Sequence, residues 1–266
     1  MFIIPAVSEV AFRVGNFPIY CYGVVMALAI FVGITIANRY FNKVNKKNKD
    51  IIIEYAPLII FLGIFGARLY FCCLNPSYYF SHPMEILDIR EGGLSIHGGI
   101  AGGIAALIFV AQRKKISFWS VVDPLACGTI LGQAIGRWGN YFNSEAYGLP
   151  VASQNWGLFI PVHARVEKYM NFSLFHPAFL YESLLDLSAF FVITYLYFRF
   201  GKTFNGLTFF IYLIFYSIIR FFVECIRVDS ALNIGTIPIA EIVSIILFLI
   251  GLLGCLTILF VKKTTT

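Results

Sequence analysis

Charged residues are scarce in this chain of 266 residues. Only 13% of the residues are charged, whereas 59% are hydrophobic, and the mean hydropathy is +0.80. Soluble domains have about half of their residues apolar and about a quarter charged. The composition therefore excludes an ordinary soluble domain and indicates a protein embedded in a membrane.

Signatures of several other protein classes are also absent. The six cysteines show neither zinc-ligand spacing nor a secreted disulfide framework, and we expect no metal and no cofactor. The first sixteen residues lack the features of a cleaved signal peptide, so we expect the first apolar segment to stay in the mature protein. No fixed-period repeat or inverted pair of broken helices appears, which weighs against a secondary transporter.

Long apolar runs are what the sequence has in abundance. A bilayer core about 30 Å thick is crossed by roughly 20 apolar residues in a helix, and seven segments reach about that length. We predict an all-α polytopic membrane protein in which residues 1–266 form a single integral membrane domain. The predicted spans are 17–38, 51–72, 93–111, 118–137, 176–198, 206–224 and 238–261.

The formal net charge of +6 is explained by where the cations lie, without a nucleic acid as partner. Twelve of the 20 Lys and Arg residues follow spans one, three, five and seven, so they share one side of the membrane. The positive-inside rule makes that side cytoplasmic. We therefore predict an N-terminus outside and a C-terminus in the cytoplasm. The twelve are Arg39, Lys43, Lys46, Lys47, Lys49, Arg113, Lys114, Lys115, Arg199, Lys202, Lys262 and Lys263.

The longest loop, residues 138–175, lies between spans four and five on the predicted outer side. It mixes Gly148, Pro150, Gly157 and Pro161 with aromatic and polar residues. Such a mixture favours turns or short strands over a flexible linker. We predict a small ordered extracytoplasmic cap.

A polar run interrupts the end of span four. Arg137 is flanked by Gly136 and Gly139, which leave room for a bulky partner near its guanidinium. An arginine at a helix end often only snorkels to the interface. Snorkelling does not explain the amides and the carboxylate that follow at once, and together they indicate a binding rim. The rim residues are Asn140, Asn143 and Glu145, and Gly148 closes the run.

Span six carries Arg220, Glu224 and Arg227 at positions i, i+4 and i+7, which predicts that all three share one helical face with a net positive charge. A structural network that braces the bundle is one interpretation. Recognition of a phosphate by paired guanidinium groups is the other.

Four further polar residues lie near the predicted outer ends of the helices. His97 follows a glycine-rich stretch and is suited either to proton transfer near neutral pH or to an interhelical hydrogen bond. Tyr22 is interpreted as an interfacial anchor, Arg68 as a structural or headgroup contact, and Glu182 as a partner for a nearby cation. The glycines around His97 favour close helix packing.

Independent spans thus supply one polar cluster in the outer half of the membrane. Intramembrane charges are costly and usually functional. Because the cluster is predicted to hold more guanidinium than carboxylate and to be open to lipid, an anionic phospholipid is its natural ligand.

The run from Gly136 to Glu145 with Gly148 resembles the signature of the prolipoprotein diacylglyceryl transferase family. The resemblance covers nearly the whole chain, including seven spans and an outside N-terminus. One departure is Glu241, three residues before Ser244, where the family usually has glutamine. The other matching residues are Tyr22-Gly23, Gly66-Ala67-Arg68, Glu91 to Leu94, His97 to Gly99, His176-Pro177, Tyr181-Glu182, Arg220, Glu224 and Arg227.

The resemblance implies an enzyme of the bacterial inner membrane with its active site toward the outer leaflet. Its expected reaction moves the sn-1,2-diacylglyceryl group of phosphatidylglycerol to the thiol of a lipobox cysteine in a prolipoprotein, forming a thioether and releasing glycerol phosphate. This is the first step of bacterial lipoprotein maturation.

We hypothesise roles for the matching residues in this reaction. Arg137 and Arg220 hold the phosphate, while Asn140 and Asn143 orient the headgroup or the rim. His97 accepts the thiol proton. Glu145 and Glu224 position these groups, Tyr22 lines the lipid site beside Gly148, and Arg68, Glu182 and Arg227 support it.

Two other functions compete with catalysis. A transporter or flippase for an anionic lipid or solute would use the same arginines but would need polar access to the cytoplasmic side, and the sequence offers little. A membrane scaffold that binds lipoprotein precursors through the cap would tolerate loss of the polar cluster.

Overall fold

The computed structural model describes residues 2–88, 92–152, 155–229, 233–234 and 237–265, with the backbone alone for residues 2, 233, 234, 237 and 263–265. Within these ranges, seven helices are long and apolar enough to cross a membrane, which confirms a polytopic, predominantly helical protein. They are α1 (Cys21–Val44), α2 (Ile51–Leu74), α4 (Ile96–Lys114), α5 (Phe118–Phe142), α6 (Ala178–Phe200), α7 (Leu207–Ile226) and α8 (Ile239–Thr265).

Short elements fill the segments between these helices. A one-turn helix α3 (Pro76–Ser81) and a 3₁₀ turn at Pro83–Leu87 follow α2, and two more 3₁₀ turns lie at Val162–Ala164 and Glu167–Tyr169. The short strands are β1 (Phe2–Ile4), β2 (Val10–Val14), β3 (Phe17–Tyr20), β4 (Trp156–Phe159), β5 (Leu174–Phe175), β6 (Asn233–Ile234) and β7 (Ile237–Pro238).

The ends of four predicted spans, the first, third, fourth and seventh, are wrong by three or more residues. Span one was predicted to begin at Phe17, but Phe17–Tyr20 is strand β3, paired antiparallel with β2, and α1 begins at Cys21. Helix α4 begins at Ile96, after the extended Ser95. Helix α5 continues to Phe142, so Arg137 and Asn140 both lie on its last turns.

The chain divides into two compact units, Met1–Ala37 with Asp123–Thr266, and Asn38–Val122. A single integral domain over residues 1–266 stays a prediction. In the unit Asn38–Val122, α2 packs along α4. A Cβ on Gly102 would lie 2.1 Å from the Leu62 carbonyl oxygen, and one on Gly98 would lie 2.2 Å from that of Gly66. The backbones touch, which confirms the packing interpretation of these glycines.

In the other unit, α7 packs against both α6 and α8. Helices α1 and α5 approach through Gly33 and Gly128, since a Cβ on Gly128 would lie 2.2 Å from the Gly33 carbonyl oxygen. Asp123, buried in α5, accepts the Gly206 and Phe209 amides at 2.7 and 2.9 Å and so caps the start of α7.

The predicted cap contains the turns and short strands that its composition favours. Strands β1, β4 and β5 form one sheet, with β1 parallel and β5 antiparallel to β4. A small apolar core under this sheet includes Tyr147, Leu158, Ile160 and Phe175. The Tyr147 hydroxyl donates to the Ala164 carbonyl at 2.9 Å and accepts the Val166 amide at 2.9 Å, which ties the cap together.

Candidate active site

Three helices meet at the carboxylate of Glu182. Arg137 on α5 lies 2.7 Å from Glu182 on α6, through Nη2 and Oε1, and Nη1 of Arg220 on α7 lies 3.6 Å from Oε2. The second guanidinium nitrogen of Arg220 pairs with Oε2 of Glu224 at 2.5 Å. These four residues are called the ion network below. The expectation that Glu182 pairs with a nearby cation is confirmed.

Arg227 departs from its predicted position. Helix α7 ends at Ile226, and Arg227 has the extended angles φ −74° and ψ 139°, so it does not continue the helical face of Arg220 and Glu224. Its Nε donates to Oδ1 of Asp229 at 2.6 Å. Burial opposes its charge, but the hydrogen bond and the charge of Asp229 outweigh burial and raise the pKa of the Arg227 guanidinium.

The predicted excess of positive charge is also wrong. The ion network holds two guanidinium groups and two carboxylates. Asp186, one helical turn beyond Glu182 and only 1% exposed, lies within electrostatic range of Arg137 and Arg220. Sequence reasoning missed this carboxylate, although its position four residues after Glu182 inside an apolar span was a usable signal.

Exposure distinguishes the cations from the anions of the network. The side chains of Arg137 and Arg220 are 22% and 14% exposed, whereas those of Glu182 and Glu224 are 2% exposed. Nε of Arg137 and Nη1 of Arg220 are buried atoms that have no hydrogen-bond partner among the described residues. The carboxylates thus hold the guanidinium groups from the buried side, and the exposed sides of both arginines are suited to an anion.

The rim residues form a second cluster at the end of α5. The side-chain amides of Asn140 and Asn143 both donate to Oε1 of Glu145, at 2.9 and 3.4 Å. The Glu145 amide closes the turn by donating to the Asn140 carbonyl at 3.0 Å. The three side chains are therefore oriented by one another, and Glu145 fixes which edge each amide presents.

The glycines of the signature run make room for residues of α1. A Cβ on Gly139 would lie 2.9 Å from Cδ2 of Tyr22, so the Tyr22 ring lies directly over that glycine. Gly136 likewise leaves room for Met26, because a Cβ on Gly136 would lie 3.3 Å from the Met26 sulfur. The space over these two glycines is therefore taken by side chains of the same chain, and room for a bulky partner near the Arg137 guanidinium stays a prediction.

Gly148 joins the rim to the end of α7. Its amide donates to the His176 carbonyl at 2.8 Å, and Gly148 pairs with Arg227 in an antiparallel bridge. A Cβ at Gly148 would lie 3.0 Å from that of His176 and 3.1 Å from the Ile226 carbonyl oxygen. A side chain at this crossing of two chain segments would therefore be tightly packed, which favours glycine.

His97 and Arg68 belong to the unit Asn38–Val122. His97 is exposed in the first turn of α4, with its ring 6.1 Å from that of Tyr70. Arg68 is 8% exposed and donates to the carbonyls of Glu85, Ile86, Gly92 and Gly93. The structural interpretation of Arg68 is confirmed, with carbonyl groups in place of a carboxylate.

Comparisons with known proteins match nearly the whole chain. A model of the prolipoprotein diacylglyceryl transferase family matches residues 9–257. A phosphatidylglycerol–prolipoprotein diacylglyceryl transferase of Acaryochloris marina is 40% identical over 253 residues, 95% of this chain and 91% of that protein. A protein of the same name from a Nostoc species is 38% identical, over 98% of this chain and 93% of that protein. Another from Bacillus cereus is 39% identical, over 94% of this chain and 92% of that protein.

Proposed function

This chain belongs to the prolipoprotein diacylglyceryl transferase family, and we propose that its ion network binds the phosphate of the lipid substrate. The activity is transfer of the diacylglyceryl group of phosphatidylglycerol to a prolipoprotein, as the names of its relatives state for them. The observation that carries the proposal is that Arg137 and Arg220 converge on buried Glu182 while their own side chains stay partly exposed.

The acceptor in this proposal is the thiol of the lipobox cysteine of a prolipoprotein signal peptide. The thiolate sulfur attacks the glyceryl carbon that carries the phosphate, a C–S bond forms, and the C–O bond to the phosphate breaks. The electron pair of that bond leaves on glycerol phosphate, and the thiol proton passes to a base. Only a thiolate is an effective nucleophile, and the leaving phosphate gains charge as the bond breaks.

Arg137 and Arg220 stabilise the charge that develops on the leaving phosphate. Each guanidinium group is planar and presents a fixed fork of donors that matches phosphate oxygens. Because Glu182 and Glu224 hold these forks from the buried side, the donors are oriented before the lipid arrives. Donors that are preorganised toward developing charge lower the barrier without reorganisation.

Four further residues of the same unit line the lipid site in this proposal. Asn140 and Asn143, oriented by Glu145, contact the glycerol headgroup, and Tyr22 with Gly148 lines the lipid site. His97 accepts the thiol proton, the role hypothesised for it from the sequence. The protein is multi-pass, and its proposed location is the bacterial inner membrane with this site toward the outer leaflet.

Arginine replacement tests the phosphate role directly. We expect Arg137→Ala to lower turnover with purified phosphatidylglycerol and a lipobox peptide by about 100- to 1000-fold, the usual cost of losing one preorganised donor. Arg137→Lys retains the charge but not the fork of donors. Its turnover should therefore lie between that of the unchanged protein and that of Arg137→Ala. The measurement is mass gain on the peptide cysteine, with Arg199→Ala at the opposite end of α6 as the matched control.

A second variant separates binding from folding. Removing Arg137 leaves Glu182 buried without its closest partner, and breaking a buried ion pair costs about 3–5 kcal/mol. Arg137→Ala combined with Glu182→Gln removes the uncompensated charge and should recover thermal stability but not turnover. Recovery of turnover in the double variant would contradict phosphate binding by Arg137 and favour the structural network.

A further inference from the structure

The backbone on both sides of Glu145 has an unusual conformation. Ser144 and Ala146 have positive φ angles of 54° and 55°, although neither is glycine. A left-handed conformation is unfavourable for a residue with a Cβ and persists only where neighbouring groups hold it. Glu145 is therefore presented to Asn140 and Asn143 by a turn that needs external support.

Asp229, three residues after the end of α7, contacts this turn. Its Oδ2 accepts the Ala146 amide at 2.7 Å, and its Oδ1 accepts Nε of Arg227 at 2.6 Å. Both carboxylate oxygens are thus engaged, and the Asp229 side chain is 14% exposed. Hydrogen bonds to an ionised carboxylate are stronger than neutral ones.

Backbone hydrogen bonds extend the contact between residues 146–149 and residues 226–229. The Val228 amide donates to the Tyr147 carbonyl at 3.2 Å, and the Leu149 amide donates to the Ile226 carbonyl at 2.9 Å. These bonds fix residues 147–149, and the Ala146 carbonyl accepts the Phe179 amide at 3.0 Å. The Ala146 amide is held by the Asp229 side chain, which therefore orients the peptide unit between Glu145 and Ala146.

We propose that Asp229 is a positioning residue for the transfer reaction, holding Glu145 where it orients Asn140 and Asn143. The inference rests on the proposed function of those three side chains. Asp229 acts through the Ala146 amide and does not touch substrate. Arg227 donates to Oδ1 of Asp229 and so directs Oδ2 toward the Ala146 amide, which gives Arg227 a role that differs from phosphate binding.

A set of variants tests the inference through turnover at saturating phosphatidylglycerol. Asp229→Ala removes both acceptors, and we expect a loss of about 100-fold, as small displacements of reacting groups cause. Asp229→Asn keeps one acceptor oxygen for the Ala146 amide and should recover part of the rate. Tyr147→Phe is the matched control, because it removes two hydrogen bonds from the next residue of the same segment without releasing Ala146.

The decisive measurement is a double-mutant cycle with Glu145→Gln. If Asp229 acts through Glu145, Asp229→Ala costs little more in the Glu145→Gln background than Glu145→Gln costs alone. Additive losses, or an equal loss of rate in Tyr147→Phe, would make Asp229 merely structural and overturn the inference.

Amide exchange distinguishes this inference from the proposed function. Asp229→Ala should abolish protection of the Ala146 amide from exchange. Protection is measured as deuterium uptake in a peptide covering residues 144–149. If Glu145→Gln is fully active while that protection is lost, the proposed role of Glu145 fails and the positioning role falls with it. If Glu145→Gln is inactive and protection survives in Asp229→Ala, the positioning inference alone fails.

Discussion

At the scale of single residues, the ion network shows how buried carboxylates stabilise charged arginines in a membrane protein. A buried carboxylate without partners is very costly, so the arginines stabilise Glu182 and Glu182 stabilises them. Glu182 and Glu224 are each 2% exposed, so the ion pairs lie on the buried side of the arginines. In the proposed function, the exposed edges of Arg137 and Arg220 contact the phosphate of the lipid.

The proton-acceptor role of His97 has a distinct signature in pH. A base that takes the thiol proton matters most where the thiol is still protonated, below its usual pKa of about 8.5. His97→Gln should therefore lose about 100-fold at neutral pH and regain turnover as the pH rises, because more of the acceptor thiol is then ionised without a base. The measurement is the pH profile of turnover, with His163→Gln in the cap as control. Near-normal activity of His97→Gln at neutral pH would show that the thiol needs no such base.

Sequence reasoning found most of the charged residues of the site but not their pairing. Glu182 was expected to meet a cation, yet its partners come from α5 and α7, and contacts between helices cannot be read from spacing along one of them. Arg227 fitted the helical period of Arg220 and Glu224 and was misplaced because α7 ends one residue earlier. Asp229 was missed because it lies beyond that end, where helical spacing gives no information.

At the scale of elements, close contact of helix backbones builds the unit Asn38–Val122. Hydrophobicity does not drive one apolar helix onto another in lipid, so packing of small residues supplies much of the attraction. The glycines of α2 and α4 allow this, and the spacing of those in α4 predicted it. Hydropathy gave no comparable warning that residues 17–20 form a strand, because a short apolar run suits strand and helix equally.

Two neighbouring glycines of α4 test this packing within one helix. A Cβ on Gly102 would lie 2.1 Å from the Leu62 carbonyl oxygen, whereas a Cβ on Gly103 has nothing within 4 Å. Gly102→Ala should therefore lower the thermal midpoint in detergent, with a cost of about 1–3 kcal/mol typical of overpacking. Gly103→Ala should leave the midpoint unchanged or raise it, since alanine favours a helix. Equal behaviour of the two variants would mean that α2 and α4 do not touch at Gly102.

At the scale of the whole molecule, the distribution of charge predicts how the chain is oriented. The loops after spans one, three, five and seven hold twelve of the 20 Lys and Arg residues. The cap between α5 and α6 therefore belongs to the opposite side under the positive-inside rule. That orientation would bring phosphatidylglycerol of the outer leaflet and an exported prolipoprotein to the same site.

Labelling of single cysteines tests the orientation. The four cysteines that are not buried, Cys21, Cys73, Cys225 and Cys255, are first replaced by serine in a chain that still transfers lipid. A membrane-impermeant maleimide should then label Lys168→Cys, in the cap, in intact spheroplasts. It should label Lys47→Cys, in the loop after α1, only after the membrane is permeabilised. Labelling of Lys47→Cys in intact spheroplasts would reverse the proposed orientation, and the outer-leaflet site would fail with it, because the cap and its rim residues would then face the cytoplasm.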